Sequence, residues 1–247
     1  TINAREVTVS GIKAEDKTYD GTTDASLTLS DVVFAGIVDG DSLSLDGDKL
    51  SGEFDTKDVG EGKTVSVSYE EGALTGSSAS DYTLNTGESQ KTCEASILKK
   101  EITVKAKDAE VVYGETPSFE VAFTGFAEGE TKDVISGDVS YLTGNSRSTA
   151  KEYDGKEHVG TYTIYPVVTG LSADNYSFAA ENGTLTVTVR PITAAAAEGA
   201  LLSKTYDGTT DVKTTLARGT HYEFAGVTGE AASGIVNGDI VNLVYTA

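Results

Sequence analysis

Lys17-Thr-Tyr-Asp-Gly-Thr-Thr-Asp24 returns unchanged as Lys204-Thr-Tyr-Asp-Gly-Thr-Thr-Asp211. Chance does not produce such an identity inside one chain, so the sequence is built from repeats, and repeats decide the fold before any single residue does. Working outward, three weaker signatures also recur. Gly36-Ile-Val-Asp-Gly-Asp41, Gly125-Phe-Ala-Glu-Gly-Glu130 and Gly234-Ile-Val-Asn-Gly-Asp239 share glycine, two apolar residues, a polar residue, glycine and an acid. Asp58-Val-Gly60 matches His158-Val-Gly160, and Ala79-Ser-Asp-Tyr-Thr-Leu84 matches Ala173-Asp-Asn-Tyr-Ser-Phe178. Their order is the same in two units, which predicts one topology for both despite different openings.

Thr1-Ile-Asn-Ala-Arg5 aligns with Thr186-Val-Thr-Val-Arg190. Residues 1–4 therefore read as the end of a preceding repeat, 5–99 as one β domain and 100–190 as a second. Residues 191–247 read as a partial second copy of the first type, with an insertion around 218–231. A part-sandwich leaves an open strand edge. It is expected to be completed by residues absent here or by strands of another molecule, the chain being otherwise monomeric.

Alternation with period two marks half-buried strands at Val65-Ser-Val67-Ser-Tyr69 and Leu185-Thr-Val187-Thr-Val189. Asp20-Gly21, Asp39-Gly40 and Asp46-Gly47 supply turns. With 27 Gly, 3 Pro and no Met or Trp, the composition suits many short strands. The predicted fold is all-β: tandem Ig-like sandwiches whose very short linkers, at 98–101 and 190–192, give an elongated, semi-rigid array. The alternative is a β-grasp-like unit, with residues 128–136 as a helical turn between hairpins.

The net charge of −20 argues against a nucleic-acid partner, which demands a basic face, and against an anionic membrane surface. No run of apolar residues is long enough to insert as a spanning helix. The single cysteine, Cys93, excludes an intrachain disulfide, so packing alone must hold the domains.

At residues 17–24 and 204–211 the chain resembles the YDG domain of bacterial surface proteins, and the likeness continues through residues 36–41, 58–60 and 79–84. Through Val112-Tyr-Gly-Glu-Thr-Pro117, Gly125-Phe-Ala-Glu-Gly-Glu130 and Leu171-Ser-Ala-Asp-Asn-Tyr176, the second unit is similar to the MBG domain of the YGX type. The resemblance implies a secreted or wall-attached adhesin-like array, of a Gram-positive kind, and brings no catalytic residues with it.

Candidate chemistry is sparse. Tyr19, Asp20 and Gly21, with Tyr206, Asp207 and Gly208, read as a structural turn: the aspartate accepts backbone N–H groups and the glycine takes positive φ. Asp39, Asp41, Asp46 and Asp48 are weak calcium candidates, but no EF-hand loop accompanies them. Cys93 near Gln90 resembles a thioester pair only loosely and reads as a strand residue. With His158 and His221 the only histidines, neither a Ser/His/Asp machine nor a zinc site is expected, and no cofactor is. A Lys–Asn isopeptide needs buried partners that spacing does not reveal. Asn175 and Asn182 fit the glycosylation pattern but read as turn residues.

The expected role is non-enzymatic: a stalk segment that projects a distal binding region. The alternatives are domains that themselves bind an extracellular glycan or matrix protein, and accessory modules of a secreted carbohydrate-active enzyme. A solvent-facing cluster among Tyr141, Tyr153 and Tyr165 would favour binding.

Overall fold

The computed structural model describes residues 2–200, 222–225, 236 and 239–241. Tyr206, Asp207, Gly208, His221, the insertion and the completion of the third unit lie outside the described residues. Among those described, regular structure consists of strands and three short 3-10 turns. Two compact units are formed: Thr1–Val104 with Phe123–Val139 and Val168–Ala179, and Lys105–Ala122 with Ser140–Val167 and Ala180–Ala247.

In the first domain, strand Arg5–Ser10 lies between Val33–Ala35, antiparallel to it, and Tyr82–Leu84, parallel to it. A second sheet has the order Lys17–Thr18, Thr92–Leu98, Gly60–Tyr69, Leu50–Phe54, Asp24–Ala25. Val9 of the one sheet and Val67 of the other belong to one core cluster, with Leu27, Phe34 and Leu50 packed against it. The alternation read at 65–69 is the cause: Val65 and Val67 are buried while Ser66 and Ser68 face water. Each buried valine removes enough apolar surface to favour folding by about 1.5–3 kcal/mol.

The second domain repeats this plan. Lys100–Ala106 lies between Val121–Thr124 and Tyr176–Glu181. Ala109–Val112 runs parallel to Gly183–Thr188, as Lys17–Thr18 runs parallel to Thr92–Leu98. Gly160–Val167 is antiparallel to the same closing strand and carries Ser140–Gly144 on its other side. Ala106, Val111, Ile164, Leu185 and Val187 form the core of the second compact unit. The shared topology inferred from the signatures therefore holds, and the described residues form all-β, Ig-like sandwiches in tandem. The β-grasp alternative lacks its helix. In residues 128–136 only Lys132–Val134 is helical, a 3-10 turn capped by Thr131, and Ser136 already bridges to Ser172.

Candidate functional site: a tyrosine–carboxylate joint

The repeated octapeptide folds around its own lysine. Lys17 Nζ donates to both carboxylate oxygens of Asp20 (2.9 and 3.2 Å), to Thr22 O (2.9 Å) and Oγ1 (3.0 Å), and to Asp24 O (2.8 Å). Asp20 Oδ1 also accepts from Thr22 N and Thr22 Oγ1, each at 2.9 Å. Burial opposes the aspartate's charge, but the hydrogen bonds from Lys17 and Thr22 outweigh it and hold its carboxyl below the ordinary range. Gly21 turns the chain at φ 84°, a region where a side chain is strained. Thr18 and Tyr19 continue the sheet, with Tyr19 N donating to Leu98 O. Each end of the motif is thus tied to the ammonium or to the sheet, and the turn holds Tyr19 in place.

Tyr19 is 1% exposed. Its hydroxyl donates to Glu130 Oε1 at 2.6 Å, and the hydroxyl of Tyr176 donates to Glu130 Oε2 at 2.5 Å. The two rings meet edge to face, 5.4 Å apart, a geometry that aromatic quadrupoles favour. Tyr176 in turn accepts from Ala127 N at 2.9 Å. Asn175 closes the rim: its Oδ1 accepts from Val59 N (2.9 Å) and its Nδ2 donates to Asp58 (3.0 Å), while Lys57 lies 3.7 Å from Glu130. All these residues belong to the first compact unit. Burial first, and then donation to Glu130, push the hydroxyls of both Tyr19 and Tyr176 up to about 12. The same two hydrogen bonds, Tyr176's before Tyr19's, hold Glu130 below the ordinary carboxylate range.

The arrangement recurs. In the first domain, Tyr82 donates to Asp41 Oδ2 at 2.5 Å and accepts from Val38 N at 2.9 Å. Tyr82, Asp41 and Val38 stand where Tyr176, Glu130 and Ala127 stand in the second. In the second compact unit, Tyr113 donates to Asp239 at 3.0 Å, as Tyr19 does to Glu130. A Cβ built on Gly21 would approach Ala127 Cβ at 3.5 Å, and one on Gly114 would collide with Val236 Cγ2. At Glu130 the glycine–acid signature is thus an acceptor both held by a tyrosine of its own domain and met by a tyrosine turn; at Asp41 the first contact is seen and at Asp239 the second.

The other candidates fall elsewhere. Asp41 is occupied by Tyr82 and by Ser78 Oγ at 3.1 Å, and Asp46 caps the turn at Gly47–Lys49. Asp39 and Asp48 are exposed. Among the described residues no three carboxylate, histidine or cysteine groups converge as a metal site. Cys93 packs beside Val9 and Val67, and burial raises its thiol above the ordinary value. Gln90 is engaged with backbone: its amide accepts from Ile12 N and donates to Ile12 O and Thr92 O. Of the ion-paired lysines described, Lys17 and Lys63 are the least exposed, and they meet aspartates and threonines rather than asparagine. Asn175 is a bridge within the joint, and Asn182 is exposed. Of the tyrosines proposed as a binding patch, Tyr165 is buried, while Tyr141 and Tyr153 pack against the core of the second unit.

Sequence reading missed Glu130 and Tyr176 as partners of Tyr19. A further Tyr-Asp-Gly, in Lys151-Glu-Tyr-Asp-Gly155, lies outside the repeated octapeptide and has different flanks. There Lys151 pairs with Asp154 at 2.8 Å, Asp154 accepts from Lys156 N, and Gly155 has φ 78°. Lysine three residues before the aspartate was the common signal.

The fold and this joint define a tandem of all-β modules. Residues 3–92 match the model of the YDG domain and residues 102–186 that of the MBG domain (YGX type). The chain thus carries a YDG domain followed by a YGX-type MBG domain, both non-catalytic module types that fit extracellular adhesin-like or repeat proteins. Among solved structures, the I9–I11 tandem of titin is 14% identical, with 77% of this chain and 68% of that one covered and a TM-score of 0.24. Drosophila N-cadherin EC1-3 is 9% identical, with 76% and 69% covered and a TM-score of 0.21. Neither score is high enough to bear on the fold. No curated protein matches the chain. Among the described residues no helix is long and apolar enough to cross a membrane.

Proposed function

We propose that the chain is a non-enzymatic stalk segment of a bacterial surface adhesin-like protein, wall-attached in a Gram-positive manner, that transmits position to a distal binding region. The observation that carries this reading is Tyr19, buried to 1% in a carboxylate acceptor that a second tyrosine also holds. A stalk must resist bending where its modules meet. The hydrogen bonds from Tyr19 to Glu130 and from Asn175 to Asp58, with the edge-to-face contact of Tyr19 on Tyr176, resist bending there, where a bare linker would not. The packing of Tyr141, Tyr153 and Tyr165 onto their own domain removes the patch that would have favoured ligand binding.

Residual dipolar couplings on the full chain test this. A rigid joint gives one alignment tensor for residues 5–104, 123–139 and 168–179. Separate tensors for residues 5–92 and for 123–139 with 168–179 would refute the stalk role.

A further inference from the structure

The first domain carries the same acceptor as the second, but among the described residues no tyrosine turn is seated on it. Val38 stands where Ala127 stands, as the third residue of the glycine–acid signature, with its N–H held by a tyrosine hydroxyl in both cases. Ala127 is 4% exposed beneath the turn at Gly21, whereas Val38 is 48% exposed. Asp41 occupies the position of Glu130, and Tyr82 that of Tyr176. In two places the structure shows what fills such an acceptor: Tyr19 on Glu130, and Tyr113 on Asp239.

We propose that Val38, Asp41 and Tyr82 form a docking face for the tyrosine turn of an MBG-type domain. The tyrosine hydroxyl donates to Asp41, and the glycine after it covers Val38. The hydroxyl of Ser78, now on Asp41 Oδ1, gives up that oxygen by rotating. The choice of an MBG-type partner rests on the chain's own register. Thr1 to Arg5 align with Thr186 to Arg190, which run from the end of the MBG domain into the next one. Arg5 Nε donates to Gly36 O at 2.6 Å, so this entry segment is fixed beside the face. The inference rests on the joint and not on the stalk reading.

The test is a chain in which residues 1–185 are joined ahead of the complete sequence, so that Gly183-Thr-Leu185 leads into Thr1 in register. Every added domain keeps its native neighbours. The face at 36–41 then occurs twice, once free and once behind an MBG domain. Amide exchange read by mass spectrometry on peptides covering 36–41 is expected to show two equal populations, one at least ten-fold slower. Tyr113→Phe in the first copy alone is expected to shift the slow population toward the fast one. A single fast population in the extended chain would overturn the proposal, and so would a slow population that Tyr113→Phe leaves unchanged. Dipolar couplings on the unextended chain are unaffected by either result, so this failure and that of the stalk reading are separable.

Discussion

Replacing Glu130 by glutamine keeps the shape of the acceptor and removes its charge. The carboxylate accepts from Tyr19 at 2.6 Å and from Tyr176 at 2.5 Å. The hydroxyl of Tyr176 already accepts from Ala127 N, so its own proton must be donated onward. A glutamine offers one oxygen, which accepts from Tyr176, and one NH2 group, toward which the hydroxyl of Tyr19 must turn as acceptor, so both bonds become neutral ones. A hydrogen bond to a charged group contributes about 1.5–3 kcal/mol net, a neutral one about 0.5–1.5. Over two bonds, the expected loss is roughly 2 kcal/mol. In a domain of this size, each 1 kcal/mol moves Tm by about 4–8 °C, so a fall of at least about 8 °C is expected. The assay is a double-mutant cycle with Tyr19→Phe, followed by denaturant unfolding. Because both changes strike one hydrogen bond, a coupling energy of about 1 kcal/mol or more is expected. Additivity within about 0.5 kcal/mol would refute the claim that Tyr19 and Glu130 act together.

Three further outcomes follow from the same geometry. The joint has a pH window: Tyr19 and Tyr176 ionise near 12 when folded against 10.0 ordinarily, so their contribution is full below 10 and is lost as pH rises through 12. Glu130, held below its ordinary 4.5, contributes above that value and loses its contribution as pH falls through the lower folded one; unfolding free energy measured from pH 3 to 12 checks both limbs. Lys17→Met strips the ammonium from the carboxylate of Asp20 and two backbone carbonyls, and is expected to cost about 2–3 kcal/mol in denaturant unfolding, whereas Lys13→Met, which breaks only an exposed pair with Asp31, costs less than about 0.5. Gly125→Ala, at φ 103° with its new Cβ 2.6 Å from Glu101 O, is expected to lower Tm well beyond Gly40→Ala, at φ 91° with no atom within 4 Å, where strain of about 1 kcal/mol is the whole effect.

The parts of this fold that the sequence makes legible are those set by short-range pattern. Val65-Ser-Val67 shows its buried face because the side chains of a strand alternate. The shared topology could be read because three signatures occur in one order in both units, and the sheets place them in equivalent positions. The helical turn read over 128–136 is present as Lys132–Val134, capped by Thr131, and the bridge from Ser136 to Ser172 follows it directly. The joint itself was hidden for a different reason. Tyr19 and Glu130 are 111 residues apart, and no local periodicity carries a contact between the turn of one module and the signature of another. The glycine–acid and Tyr-containing signatures were each seen, yet nothing in their spacing showed that Tyr82 and Asp41 are hydrogen-bonded.

The two openings also show what the joint requires. The YDG motif braces its tyrosine with a lysine caged by Asp20, Thr22 and Asp24. Among the described residues no such cage follows Tyr113; instead Arg190 donates to Tyr113 O at 3.2 Å and to Glu115 at 2.6 Å. The brace differs in sequence position and in cation, while the tyrosine hydroxyl, the nearby positive-φ glycine and the carboxylate it reaches are common to both. Glutamate serves at 130 and aspartate at 239, so the acceptor chemistry matters more than side-chain length. The octapeptide therefore combines two separable duties. Lys17, Asp20, Thr22 and Asp24 shape a turn inside one module, and Tyr19, with Gly21 over Ala127, addresses the next. A change at Lys17 should then weaken the joint only through the position of Tyr19, whereas a change at Tyr19 should leave the turn intact.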